Sequence, residues 1–251
     1  MRIVFEKIPV NIELSNEKVS SLEISNHRLF AEICASLRER EDDLRQISYS
    51  LWNGEKEVKP DQHTIFVESP LNLPWDDKKL NSKFLEHVAD EINSDEYRRL
   101  RILEAVSTID KGIFEVVSSL NANYELQSQW DMAKYLKMSH FSAELKGKTF
   151  FENQIEFLKF VSDSSFDGVV IFVTLQKFLT QNQLNEWVDQ AIFLGLRTLL
   201  IEVGAVDYAD ARIQKQVVDL LDCSDIISNS DRMDVSLQER FCDNGFGAVT
   251  F

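Results

Sequence analysis

Apolar residues are arranged along this chain in three patterns, and each marks out a region. From Gly168 to Thr174 the run GVVIFVT is apolar and β-branched without alternation, as in a strand buried on both faces. Thr180 and Gln183 have capping-box spacing, and beyond them Leu184, Trp187, Val188, Ala191 and Ile192 share one helical stripe. Gly195 sits where a left-handed C-cap residue is wanted, and Thr198 to Val203 forms a second strand. Strand, helix and strand in that order predict a parallel pair with a right-handed crossover. Upstream, Thr149 and Glu152 form another capping box, opening a helix with Phe151, Ile155, Leu158 and Val161 on its apolar side.

The N-terminal pattern is different. Met1 to Glu6 and Pro9 to Leu14 alternate and read as paired strands, followed by a strand from Val19 to Ile24. Asn26 can cap a helix running to about Arg40, with Phe30, Ile33 and Leu37 on its stripe. Gln46 to Leu51 and His63 to Glu68 read as further strands. The segment between them, Trp52 to Gln62, has the Asn-Gly and Lys-Pro chemistry of turns.

After Pro74 the period changes to that of helices. Leu80, Phe84, Val88 and Ile92 recur at helical spacing. Ser94 then opens the longest stripe, through Ile102, Val106, Ile109, Ile113, Val117 and Leu120 to Tyr124, which predicts a rod on the order of 45 Å. Gly112 interrupts it at about 1 kcal/mol relative to Ala. Gln129 to Lys137 forms another short helix. The expected fold class is therefore α/β: a discontinuous domain of residues 1–74 and 146–251 with a parallel βαβ core, plus an inserted helical domain at 75–145. Residues 230–251 form an extra tail, in which Asp243 to Gly247 is a turn before an edge strand, Ala248 to Phe251.

Composition narrows the function less than charge does. A chain of 251 residues buries roughly 70–75% of its unfolded surface. It is 44% hydrophobic and 27% charged, as ordinary globular proteins are. No run approaches the ~20 apolar residues of a membrane span, and the alternating, acid-containing start is unlike a signal peptide. Cys34, Cys223 and Cys242 have neither metal-ligand spacing nor an even count, so reduced thiols and a cytoplasmic location are expected. Cys34 reads as buried filler on a helix. The net charge of −15 and pI near 4.7 argue against a generally basic nucleic-acid binder. The charges are nevertheless segregated. From Glu202 to Asp243 there are 10 acids and four bases, whereas from Lys134 to Phe151 there are four Lys and one acid, Glu144.

Catalytic chemistry is sparse. Lys146-Gly147-Lys148-Thr149 before a helix resembles the end of a P-loop, but Ser142 stands at the first glycine position, and Glu144 and Leu145 line the loop poorly for a polyphosphate. A β-turn with a threonine N-cap is the simpler reading. There is no G-x-S-x-G, and His27, His63, His87 and His140 show no metal spacing. His87 reads as solvated or hydrogen-bonded beside its helix stripe. Asp42-Asp43 and Asp76-Asp77 sit where helix dipoles favour acids. No enzyme activity is expected. Three basic groups stand out instead: Lys78, Lys79 and Lys83; Arg98, Arg99 and Arg101; and Lys134 and Lys137, followed by Lys146 and Lys148. Lysine and arginine hold duplex phosphates without base-reading motifs. Asp95–Arg99 spacing and the Arg101–Glu104 pair offer the plainer account of solvated ion pairs.

The order of elements resembles a known family. The pattern F-x-K-F, G-V-V-I-F-V, a capped L-T-x-x-x-L helix and T-L-L-I-E-V, together with the opening MRIVFEKIPVNIEL and Phe30, Ala31 and Leu37, is similar to the type II-A CRISPR accessory proteins of spacer acquisition, the Csn-two family. The likeness extends, with gaps, from Met1 to about Asn229. It implies a fold similar to P-loop ATPases that has lost the nucleotide site. It further implies a homotetrameric ring with helical legs, threaded by linear double-stranded DNA through a basic hole, working beside the CRISPR integrase and effector nuclease. An acidic rim around a basic hole would reconcile the charge with DNA binding. On this reading Arg98, Arg99, Arg101, Lys134, Lys137, Lys78, Lys79 and Lys83 are the DNA-binding candidates. The family also implies calcium bound by acids near the end of the long helix. Here Val116 to Trp130 holds only Glu125, with Glu115 and Asp131 at its edges, so no metal is expected. Two rival functions remain open: a nucleotide-binding protein using Lys148 and Thr149, and an acidic protein–protein scaffold without DNA binding.

Overall fold

The structure is a computed structural model that describes residues 1–39, 41–122, 124–125, 130–139, 141, 147–204 and 210–218. In chain order the elements are β1 (Arg2–Phe5), β2 (Ile12–Glu13), β3 (Val19–Ile24), α1 (His27–Arg38), β4 (Tyr49–Asn53), β5 (Lys56–Val58), α2 (Pro60–His63), β6 (Thr64–Val67), α3 (Lys78–Ser94), α4 (Glu96–Ser118), α5 (Met132–Met138), α6 (Phe150–Asp163), β7 (Val169–Val173), α7 (Gln181–Phe193), β8 (Arg197–Val203) and β9 (Ile213–Val218). Short 3₁₀ turns occupy Asp42–Leu44 and Leu175–Phe178. Cys223, Cys242, His140, the Ser142–Lys146 loop and the 230–251 tail lie outside the described residues.

The chain is mixed α/β with a parallel sheet, and it divides into two compact units: Met1–Pro74 with Leu145–Ser162 and Asp167–Phe251, and Trp75–Glu144 with Asp163–Phe166. In the first unit the sheet has five strands in the order β6-β7-β8-β3-β9, with every neighbouring pair parallel. The predicted β7–β8 pair is there, in register from Val169–Arg197 to Val173–Ile201. The capping box of Thr180 and Gln183 is formed, and Gly195 closes α7 with φ +66°.

Register then decides what each sheet face meets. Leu22, Ile24, Val169, Ile171, Leu199 and Ile201 lie on one face, in a cluster with Ile33 and Leu37 of α1 and with Ile3, Phe5 and Leu51. The last three belong to a second, antiparallel sheet ordered β2-β1-β4-β5. On the other face Phe172 meets Trp187 of α7 edge to face at 5.1 Å and Phe157 of α6 at 6.2 Å.

Several boundaries differ from the sequence expectation. α1 ends at Arg38, not Arg40, and the strand expected at Gln46–Leu51 is β4, Tyr49–Asn53. The presumed turn Trp52–Gln62 contains a hairpin, with Gly54 at φ +61° between β4 and β5, and a helical turn, α2. β9 has no counterpart in the sequence expectation.

The second unit is helical. Asp77 caps α3 by accepting the N–H groups of Lys79 and Leu80, and Ala89, Met132 and Leu136 form a small core with Leu85, Val88, Ile92, Ile102 and Trp130 around it. Ser94 ends α3 rather than opening α4, whose N-cap is Asp95. α4 stops at Ser118, so its 23 residues span about 35 Å rather than 45 Å. Gly112 lies inside it without a break. α5 begins at Met132, capped by Asp131.

Candidate nucleic-acid interface

The eight expected cations all belong to the helical unit, but the helices do not turn them to one side. Lys78 is the first residue of α3 and exposed, whereas Lys79 and Lys83 are half-buried. On α4, three consecutive or nearly consecutive arginines are spread by the 100° advance per residue of a helix. Arg101 lies on the side away from the Ile102–Val106 stripe, whereas Arg98, one turn before Ile102, and Arg99, which lines a groove with Ile102 and Leu103, flank it; all three are exposed.

The pairing also differs from expectation. The i,i+4 spacing assigns Asp95 to Arg99. The Asp95 carboxylate instead meets the Arg98 guanidinium at 3.0 Å, one residue closer, because the same carboxylate caps α4 by accepting the Arg98 N–H. Arg98 therefore has its charge partly matched, and Arg99 is an arginine with no ion pair among the described residues. The Arg101 guanidinium stacks over the Tyr97 ring, 5.7 Å from its centroid. Both groups are exposed, so these contacts are weak tethers that a phosphate can displace.

On α5, Lys134 pairs with Asp131 at 3.5 Å. The Lys134 backbone N–H, followed by its ammonium, holds the Asp131 carboxyl below its usual range. Lys137, in the last turn, and Lys78 have no ion pair among the described residues, and the same is true of Lys111 on α4. Lys111 escapes a reading of the sequence because it stands alone between Asp110 and Gly112 rather than in a basic cluster.

The same helix carries an uncovered apolar row. Of the stripe expected to be core, Val106 alone is buried; Ile109 is 59% and Ile113 44% exposed. Phe114 and Val116 add to this surface at 54% and 64%.

Elsewhere the chemistry is occupied or insulated. Thr149 and Glu152 form their capping box, with the Thr149 N–H donating to Glu152 at 2.7 Å, and Lys148 is held by Glu156 at 2.9 Å. The side chains a P-loop would need are thus engaged in starting α6. Burial, with Glu68 adding repulsion, pushes the half-buried Cys34 thiol up to about 12, which makes it a poor nucleophile. His87 shares a hydrogen bond with Ser165 at 3.3 Å, consistent with a structural role. Among the described residues no group of three His, Cys, Asp or Glu is placed to hold a metal ion, and no helix is long and apolar enough to cross a membrane.

One titratable group has no signal in the sequence. Glu202 of β8 is fully buried and lies in register beside Glu23 of β3. It accepts the Gln176 N–H at 3.0 Å, and Glu23 is ion-paired with Lys215 of β9 at 2.9 Å. Burial raises the Glu202 carboxyl to about 7; the Gln176 N–H and Lys177 oppose that rise and Glu23 adds to it. A carboxylate at the end of an apolar strand carries no periodic pattern that would reveal this.

A family model described as CRISPR-associated protein (Cas_Csn2) matches residues 43–220, more than half of the chain. The matched span includes all of α3, α4 and α5 and four of the five parallel strands; β1 to β3 and α1 lie before it. No curated protein matches the chain.

Proposed function

The chain belongs to the Cas_Csn2 family of CRISPR-associated proteins, and on that premise we propose that it serves CRISPR adaptation as a non-catalytic, sequence-independent binder of linear double-stranded DNA. It works as a homotetrameric ring, in company with the integrase and effector nuclease of a type II-A system, in the cytoplasm. The α/β unit is a P-loop-ATPase-like scaffold without a nucleotide site, and the helical unit is an insertion that carries the DNA-binding cations.

The observation that supports this reading most is the combination found on α4. Arg98 and Arg101 project to solvent, while Ile109, Ile113, Phe114 and Val116 expose an apolar surface. An amphipathic helix whose apolar face is uncovered needs a partner, and copies of the same chain supply it symmetrically. Assembly would bring cations from several protomers onto one duplex, adding phosphate contacts that a single acidic protomer lacks. The state of Lys148 and Thr149, tied to Glu156 and Glu152, weighs against the nucleotide-binding alternative.

The test is electrophoretic mobility of the full chain with linear and with covalently closed circular duplex of one sequence, across a salt series. Retention of the linear form alone, weakening steeply with salt, is expected. Equal affinity for both forms would remove threading. No retention even at low salt would leave the acidic scaffold. ATP-dependent thermal stabilisation abolished by Lys148→Ala would restore the nucleotide reading.

A further inference from the structure

The carboxyl ends of the parallel strands hold a buried polar group that the DNA-binding reading does not use. Side chains alternate along β8, so Leu199 and Ile201 enter the cluster with α1 while Glu202 lies on the side covered by α7. Glu23 of β3 stands beside it in register, and Ser21 is on the same side, two residues earlier. The 3₁₀ turn Leu175–Phe178 packs against this end of β8. Its Gln176 donates the backbone N–H to Glu202 at 3.0 Å and the side-chain amide to Ser21 Oγ at 3.2 Å. Leu175 is fully buried.

Two features show that the turn is held rather than relaxed. Thr174, at its start, has φ +54°, a left-handed conformation that is unfavourable for a β-branched residue. Its N–H is bonded to the Ile201 carbonyl at 2.8 Å, which keeps it there. Beneath the turn, Glu202 Oε2 and Gln176 Oε1 are buried and accept no hydrogen bond among the described residues. A neutral carboxyl tolerates that setting, whereas a negative charge on Glu202 would be left without a donor at Oε2. The surrounding elements offer little compensation. Glu23 repels the charge and is itself paired with Lys215 of β9 at 2.9 Å. β7 is apolar throughout, the buried residues of α7 are Leu184, Trp187, Val188 and Ala191, and its acids Glu186 and Asp189 are exposed. Lys177, in the turn, attracts the ionised form but is exposed.

We propose that Glu202 and Gln176 form a proton-operated latch: protonated Glu202 keeps the turn Leu175–Phe178 bound to β8 and β3, and ionised Glu202 releases it. Opening brings water to the carboxylate and relaxes Thr174, against the loss of the Gln176 hydrogen bonds and the exposure of Leu175. It also parts Phe178 from Phe150, the first residue of α6, whose rings lie 5.8 Å apart in the closed turn. The sign follows from the Glu202 carboxyl, which titrates near 4.5 when solvated and at about 7 when enclosed. The closed turn is therefore favoured fully below about 4.5, loses that advantage as pH rises to 7, and opens no further above it.

The test is hydrogen–deuterium exchange of the full chain, read at the Thr174 and Gln176 amides from about pH 5 to about pH 8, corrected for intrinsic exchange and repeated in low urea. Protection should fall about tenfold per pH unit up to about pH 7 and then level off. That exchange should be nearly independent of urea, as a local opening is, whereas the core amides of β7 should respond to urea steeply. Glu202→Gln keeps an acceptor for the Gln176 N–H and should make protection independent of pH. Lys177→Ala, at an exposed position, removes an attraction for the ionised form and should move the levelling point to higher pH. The inference is overturned by pH-independent protection in the parent, by an unaltered pH dependence in Glu202→Gln, or by turn amides that exchange only together with the core as urea rises. If Glu202→Gln does not fold, an unmoved levelling point in Lys177→Ala overturns it instead.

Discussion

The two units solve the same packing problem in opposite ways. In the parallel-sheet unit every residue of β7 is buried, and Trp187, Phe157 and Phe172 are all but inaccessible to solvent. In the helical unit α4 runs for 23 residues with one of them buried, and the adjoining core rests on Ala89, Met132 and Leu136. A helix gains most of its stability from the face it packs, so the first unit is self-sufficient and the second has apolar surface to share. The lesson is that a stripe identifies the residues wanting cover without identifying what covers them.

The largest expected effect tests that contrast directly. Trp187→Ala removes a fully buried ring stacked edge to face on Phe172 and should cost about 3–5 kcal/mol in chemical denaturation. Ile113→Ala, at 44% exposure, should change the stability of the dilute chain by less than about 1 kcal/mol. It should instead lower the oligomer mass measured by light scattering. If Ile113→Ala destabilises the dilute chain as Trp187→Ala does, α4 is core after all and the contrast fails.

Next in size is a pH effect that belongs to the first unit. The Glu202 carboxyl, ordinarily near 4.5, is raised to about 7 by burial, so the folded chain holds a proton that the unfolded chain gives up. Its contribution to stability is full below about 4.5 and is lost as pH rises through 7. The total loss is on the order of 3 kcal/mol. Glu32, Glu152 and Glu156 have depressed values and act in the opposite sense, losing stability as pH falls. Glu202→Gln keeps an acceptor for the Gln176 N–H and removes the charge. Its stability advantage over the parent should therefore grow from about pH 5 to about pH 8 in paired denaturant melts. A constant difference across that range would show that Glu202 is ionised throughout.

The same contrast explains what was legible beforehand. β7, α7 and β8 were visible because β7 and the buried face of α7 are apolar throughout, β8 is apolar over Leu199–Ile201, and a cap or a glycine bounds the helix between them. β9 was not visible: in IQKQVV only Ile213 and Val218 are buried, so an edge strand reads as a polar segment. β5 is three mostly exposed residues whose place is fixed by its partner β4. β3 was seen as a strand, but its position between β8 and β9 depends on residues about 180 positions away, which no local pattern encodes. The basic residues of the site were legible as clusters. Their division between faces was not, because sequence adjacency on a helix places side chains 100° apart.

A smaller effect compares how the two units begin their helices. Thr180→Ala removes the hydroxyl that accepts the Gln183 N–H and should cost about 1 kcal/mol. In α4 the equivalent Asp95 has two tasks, capping and pairing with Arg98. Asp95→Asn keeps the cap while releasing the arginine, so its thermal shift should be smaller than that of Thr180→Ala. The reverse order would make the ion pair, rather than the cap, the structural element.

The smallest change in stability should accompany the clearest change in binding. Arg98→Ala with Arg101→Ala removes an ion pair at 64% arginine exposure and a ring contact on the surface. Together they should cost about 1 kcal/mol or less. If these arginines meet phosphate, the double variant should bind all duplex sequences more weakly. The slope of log affinity against log salt should become shallower by up to about 0.9 for each phosphate left unneutralised per protomer. Asp95→Asn provides the complementary arm, because freeing Arg98 from its carboxylate should tighten DNA binding and steepen that slope. Opposite movements in the two variants would tie Arg98 to phosphate by charge alone, since the cap and the fold are kept in both. If neither variant changes affinity or slope, Arg98 and Arg101 belong to the solvated face of α4, and Lys134 and Lys137 become the cations to replace next.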